Sequence, residues 1–170
     1  METALQFKAG DYMMYGTVGV CQVKEISRLS FMRDKKLYYT LVPVFDRGSM
    51  IYIPVDNQKV VMRPVISREE AEVFIEQLPK FQVEKYANRN ERLQACKEML
   101  VSGDKEKWAA MVNGLFQLGM NKRERGRSLT INEAESMKKA ENLLFGELAV
   151  ALGLQVDQVP EYIGRKLQGE

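Results

Sequence analysis

"KVVMRPVISREEAEVF", Lys59 to Phe74, joins two incompatible rhythms at one serine. Before Ser67 the residues are mostly strand formers broken by Pro64; after it Glu, Ala and Phe recur at helical spacing. Ser67-Arg68-Glu69-Glu70 reads as a capping box, in which the serine hydroxyl takes the N3 amide and the Glu70 carboxylate reaches back to the cap amide. Strands before and helices after argue for an α+β chain rather than a parallel βαβ sheet. The 170 residues, 45% of them hydrophobic, are therefore expected to build two small domains, 1–66 and 67–170.

Upstream of the junction, "DYMMY", "VGVCQVKEI", "KLYYTLVPVF", "MIYIPV" and "KVVMRPV" read as strands, separated by Gly-, Asp- and Asn-rich turns. In the second, Val18, Val20, Gln22 and Lys24 alternate with Cys21, Val23 and Glu25 imperfectly, as where a strand curls and its faces change. Short strands at this spacing suggest a Tudor-like or SH3-like antiparallel β-barrel, which has no chemistry of its own and supplies a binding edge. Pro54 in "MIYIPVDN" lacks an N–H, which places it on an edge strand or at a strand end. Such a proline either guards the edge against aggregation or leaves the neighbouring backbone open to a partner strand.

Downstream, an all-α helical bundle is expected. The helix opened by Ser67 ends at Pro79; "KYANRNERLQACKEMLVSGD" carries Leu93, Cys96 and Leu100 at helical spacing and stops at Ser102-Gly103. Asp104 caps a helix whose Trp108, Met111, Val112, Leu115 and Phe116 form a core stripe. Thr130-Ile131-Asn132-Glu133 is a second capping box, with Leu129 placed to staple Ala134. It opens a helix from Ile131 to about Leu152 that turns Met137, Leu144, Leu148 and Ala151 inward and closes at Gly153. "VDQVPEYIGRKL" reads as a short final helix with Pro160 in its first turn.

The chain has no histidine, which removes the usual general base and metal ligand near neutral pH. The carboxylates that could pair for acid–base work, Glu69, Glu70, Glu133 and Glu135, all fall in first helical turns, where they serve the helix N-terminus. "GTVG" at Gly16 to Gly19 lacks the Lys-Ser/Thr of a phosphate loop and leads into a strand. Two cysteines, Cys21 and Cys96, stand apart without metal-ligand spacing and are expected as buried, reduced thiols. No apolar run approaches the roughly 18 residues of a membrane span. The net charge is only +2, with 10 basic and 8 acidic residues in 1–70 and 15 of each in 71–170, so any polyanion site must be a local patch. Two basic features survive the assignment of the core. "NKRERGR", Asn121 to Arg127, is expected in an interhelical loop, and Lys138 and Lys139 fall on the polar face of the next helix. Such runs are either solvated surface or a phosphate-tracking patch.

"FKAGDYMMYGTVGVCQVKEI", "YIPVDN", "LVSGD" and "KKAENLLFGELA", in this order and spacing, resemble the CarD family of bacterial transcription regulators over residues 5 to about 152. The resemblance implies a Tudor-like N-terminal domain that binds the RNA polymerase β subunit, similar to the polymerase-binding module of transcription-repair coupling factors. It also implies a helical domain that touches promoter DNA at the upstream edge of the melted region. The polymerase contact maps to Arg47, Met50, Ile51, Tyr52, Ile53 and Pro54; Tyr52 stands where many relatives carry an arginine. DNA contact maps to Tyr86, Arg89, Arg92, Lys122, Arg123, Arg125, Lys138 and Lys139. Arg89 stands where some relatives place a tryptophan wedge, and Tyr86 could supply an aromatic ring only after a one-turn shift. Arg92 and Lys139 match basic positions of the family. The function implied is a regulator of open-complex stability in the cytoplasm, nucleoid-associated through polymerase, without a recognition helix for base reading. No enzyme activity, cofactor, metal, membrane or small-molecule substrate is expected. The alternative is a protein-only adaptor that uses the barrel edge and does not touch DNA; an enzyme is a distant third.

Overall fold

The computed structural model describes residues 5–83 and 85–169. It divides into two compact units between Val65 and Ile66.

The first unit holds β1 (Tyr12–Tyr15), β2 (Gly19–Arg28), β3 (Leu37–Pro43), β4 (Ile51–Pro54) and β5 (Met62–Pro64) in one antiparallel sheet of order β4-β3-β2-β1-β5. Phe7, Met13, Cys21, Val23, Tyr39 and Leu41 form its core, with Ile51, Ile53 and Met62 packed against them. The β2–β3 register shifts between Val23 and Glu25, a bulge that accounts for the imperfect alternation of β2. β4 and β5, at the two ends of the order, share no ladder among the described residues. The sheet is thus open where a closed barrel was expected. Closure requires tilted, staggered strands long enough to meet, and these two have only 4 and 3 residues, each ending on a proline. At the β1–β2 turn, Gly16 has φ +46°, and a Cβ there would lie 2.7 Å from Val60 Cγ1. The Gly16 amide donates to Val61 O at 2.9 Å, so the turn sits directly against the β4–β5 connection.

The second unit comprises α1 (Arg68–Gln77) with a 3₁₀ turn at Leu78–Lys80, α2 (Arg89–Val101), α3 (Lys105–Glu124), α4 (Ile131–Leu152), a 3₁₀ turn at Val156–Gln158, and α5 (Val159–Leu167). Both expected capping boxes are present, Ser67 with Glu70 and Thr130 with Glu133. Asp104 caps α3 through the Glu106 amide, and Gly153 closes α4 in the left-handed conformation at φ 69°. Helix α4 touches each of the other four helices. Its C-terminal half explains why: Leu143, Leu144, Gly146, Glu147, Leu148, Ala149 and Leu152 are all buried, so the helix is covered nearly all round. Met137 and Ala151, expected inward, are only half-buried. Trp108 is fully buried beside Met111 and Leu115 in sequence, but Phe116 departs from the expected stripe and is 57% exposed. No single helix among the described residues is long and apolar enough to cross a membrane.

Candidate functional site

Two surfaces, one on each unit, carry the residues singled out by sequence. On the first, β4 pairs with β3 through Leu41↔Ile51, Thr40↔Tyr52, Tyr39↔Ile53 and Tyr38↔Pro54, and its other side is an open edge among the described residues. The pleat turns Ile51 and Ile53 towards the core and sends Tyr52 outward. Pro54 ends the strand. Tyr52 donates its hydroxyl to Met50 Sδ at 3.6 Å and meets Phe31 edge to face, with centroids 5.3 Å apart at 75°. Phe31 and Met50 are 64% and 49% exposed, so the edge carries an apolar and aromatic patch that solvent alone does not favour. Sequence reasoning missed Phe31. It lies in the β2–β3 connection, where no periodicity marks it, and only the fold brings it to Tyr52. Arg47 is exposed in the β3–β4 connection.

On the second unit, the segment between α1 and α2 is held against α3. Asn113 Nδ2 donates to Leu78 O and Phe81 O, both at 2.8 Å, and Phe81 stacks on Phe74 at 5.2 Å. Val83 comes so close to α3 that a Cβ on Gly114 would lie 2.8 Å from its Cγ2. The chain then enters α2 with Asn88 as cap, accepting from the Glu91 amide at 2.9 Å. A groove of about 760 Å³ runs beneath this entry, lined by Val83, Tyr86, Cys96, Met99, Leu115 and Phe116 among others. Tyr86 is half-buried in its wall, whereas Arg89, the first residue of α2, is exposed.

The expected basic residues separate into two classes. Arg92 Nη1 lies 3.0 Å from Glu133 Oε2, and Lys122 Nζ lies 2.6 Å from Glu133 Oε1. Glu133 also accepts the Thr130 amide at 2.9 Å, so its capping carboxylate ties α2 and α3 to the start of α4. The Glu133 side chain is only 2% exposed, against 29% for Arg92 and 25% for Lys122. Burial works against its charge, but the bonds from Lys122 and Thr130 outweigh it and hold the carboxyl down at about 2. Arg123, Arg125, Lys138 and Lys139 are exposed and form no ion pair with a described residue. The run expected as a loop begins inside α3, which continues to Glu124 and places Lys122 and Arg123 in its last turn. Cations there complement the helix C-terminus, and that gain extends the helix past the point where polar composition reads as loop.

Cys21 and Cys96 are buried free thiols. Burial pushes Cys21 up to about 12 and raises Cys96 as well, so neither is a ready thiolate. No group of three or more His, Cys, Asp or Glu that could hold a metal ion occurs among the described residues.

Among known protein families, the CarD-like/TRCF RID domain matches residues 7–66 and the CarD C-terminal domain matches residues 73–164. The second match alone spans more than half of the 170 residues.

Proposed function

The chain belongs to the CarD family and is therefore an RNA polymerase-interacting transcription factor, and on that premise we propose that its two units divide docking from DNA contact. The sheet unit, Tudor-like in this reading, adds β4 to an exposed strand of the polymerase β subunit in the cytoplasm. Backbone hydrogen bonds along the open edge supply affinity; Tyr52, Met50 and Phe31 supply the apolar contact, and Arg47 flanks them. The helical unit then lays Arg89, Arg123, Arg125, Lys138 and Lys139 against the DNA backbone at the upstream edge of the melted region. These contacts alter open-complex stability without reading base sequence.

One observation carries the docking half of this reading. An unpaired edge strand crowned by an exposed Tyr–Phe–Met cluster is a liability for a solitary protein and an asset for one that pairs with another chain. The test is retention of the β subunit on a column bearing this chain. The wild-type chain is expected to retain it, and a folded Tyr52→Glu variant to retain clearly less; equal retention by both counts against the reading.

A second reading is favoured by the groove beside Phe116, whose exposed ring suits a protein rather than a phosphate. In that case the helical unit meets another protein and the chain is an adaptor. Loss of DNA binding in Arg89→Glu/Lys139→Glu argues for DNA contact; unchanged binding, or none in the wild type, argues for the adaptor.

A further inference from the structure

The contact between Glu133 and two of the expected DNA-binding cations is a built feature rather than a surface coincidence. A surface pair leaves both partners in water and contributes little. Here the carboxylate is 2% exposed, and both its oxygens are engaged, one by Lys122 and the Thr130 amide and the other by Arg92. The two cations come from α2 and α3, 41 and 11 residues away in sequence, and each keeps a quarter or more of its side chain in solvent. They are therefore close enough to the surface to reach an external anion, yet are held by an internal one.

Resting on the reading that this unit contacts promoter DNA, we propose that Glu133 acts as an internal counter-anion that competes with DNA phosphate for Arg92 and Lys122. A phosphate oxygen and a carboxylate oxygen offer the same guanidinium and ammonium the same kind of charge-assisted bond. Only one of them is already placed, desolvated and part of the helix cap. The clasp thus removes two cations from the DNA face and leaves Arg89, Arg123, Arg125, Lys138 and Lys139 to carry the contact. In a region with 15 basic and 15 acidic residues from position 71 onward, two withheld charges are a large share of any local patch. The device keeps the DNA-facing patch only weakly basic when the chain is free, which suits a protein that should engage DNA only when docked.

Salt dependence reads the number of cations that meet phosphate, because each one releases counterions and contributes about 0.9 to the slope of log K against log salt on duplex DNA. The experiment is a salt titration of the full chain on a duplex probe, comparing wild type with Lys138→Met, Lys139→Met, Lys122→Met and Glu133→Gln. Lys138→Met and Lys139→Met should each flatten the slope by about 0.9. Lys122→Met should leave it unchanged. Glu133→Gln keeps an oxygen for the Thr130 amide, frees both cations, and should steepen the slope by about 0.9 to 1.8 while tightening binding at low salt. A flatter slope in Lys122→Met, or a slope in folded Glu133→Gln no steeper than wild type, overturns the proposal. If Glu133→Gln does not fold, Lys122→Met decides alone. No response to Lys138→Met or Lys139→Met instead overturns the DNA-contact reading, a different outcome from failure of the clasp.

Discussion

Arg89 occupies the first position of α2, where the unsatisfied amides of the helix carry positive partial charge and a cation is disfavoured. It is exposed and forms no ion pair with a described residue, so the fold draws nothing from its charge. Arg89→Ala should leave the thermal midpoint unchanged or slightly raised, while shortening the lifetime of the promoter open complex. A tryptophan there would offer an apolar face that salt does not screen, so Arg89→Trp should lengthen the lifetime and flatten its salt dependence. Equal lifetimes for all three proteins, with polymerase docking intact, would place Arg89 away from DNA. Glu133 makes the opposite case, a residue whose charge the fold uses fully. Its folded pKa of about 2 lies below the ordinary 4.5, so its contribution is complete above pH 4.5 and fades as the pH falls towards 2. The wild type should lose on the order of 3 kcal/mol over that window from this group, and Glu133→Gln should show a flatter acid branch in chemical denaturation. Matching acid branches would mean that the clasp does not bear on stability. Half of Glu133's role was legible in "TINE", whose spacing announces a capping box. The clasp was not, because its partners lie on two other helices and only packing brings them in.

At the scale of elements, sequence and structure agree where periodicity is long and punctuated. Ser67, Asp104, Thr130 and Gly153 each carry a local hydrogen-bonding or conformational preference, and each marks a helix end. Agreement fails where an element depends on what lies across from it. Phe116 continues the spacing of Trp108 and Met111 but reaches a groove that nothing fills from within the described unit, so its period is right and its burial wrong. The strands were legible in number and order, yet whether β4 meets β5 depends on tilt and length that alternation does not encode. Gly16 shows how tightly the turn and the β4–β5 connection are matched. Gly16→Ala forces a side chain onto φ +46° and against Val60 Cγ1, and should destabilise the chain by about 1–3 kcal/mol in thermal denaturation. Adding Val60→Ala should restore part of that loss by clearing the overlap while the backbone strain remains. A neutral Gly16→Ala would show that the turn relaxes freely. On the β4 edge, Tyr52→Glu should weaken polymerase docking at least about fivefold, or about 1 kcal/mol, with the fold retained. Equal affinity measured by titration against the β subunit would remove Tyr52 from the contact.

For the whole molecule, the proposed division of labour rests on charge. Residues 71–170 carry no net charge, and two of the basic side chains expected at the DNA are engaged by Glu133. DNA affinity of the helical unit should therefore stay near the non-specific range of about 10⁻⁴ to 10⁻⁶ M at physiological salt. In the proposed reading, docking through β4 would raise the local concentration of promoter DNA that this surface meets and so convert a weak contact into an effective one. Whether one chain couples polymerase docking to DNA contact is read most directly from the lifetime of the promoter open complex with and without the full chain. Such coupling requires that the wild-type chain lengthen the lifetime modestly and less as salt is raised, and that Tyr52→Glu and Lys138→Glu/Lys139→Glu each move it back towards the value of polymerase alone. A lifetime unaffected by the wild-type chain, or affected equally by the chain and both variants, would contradict it.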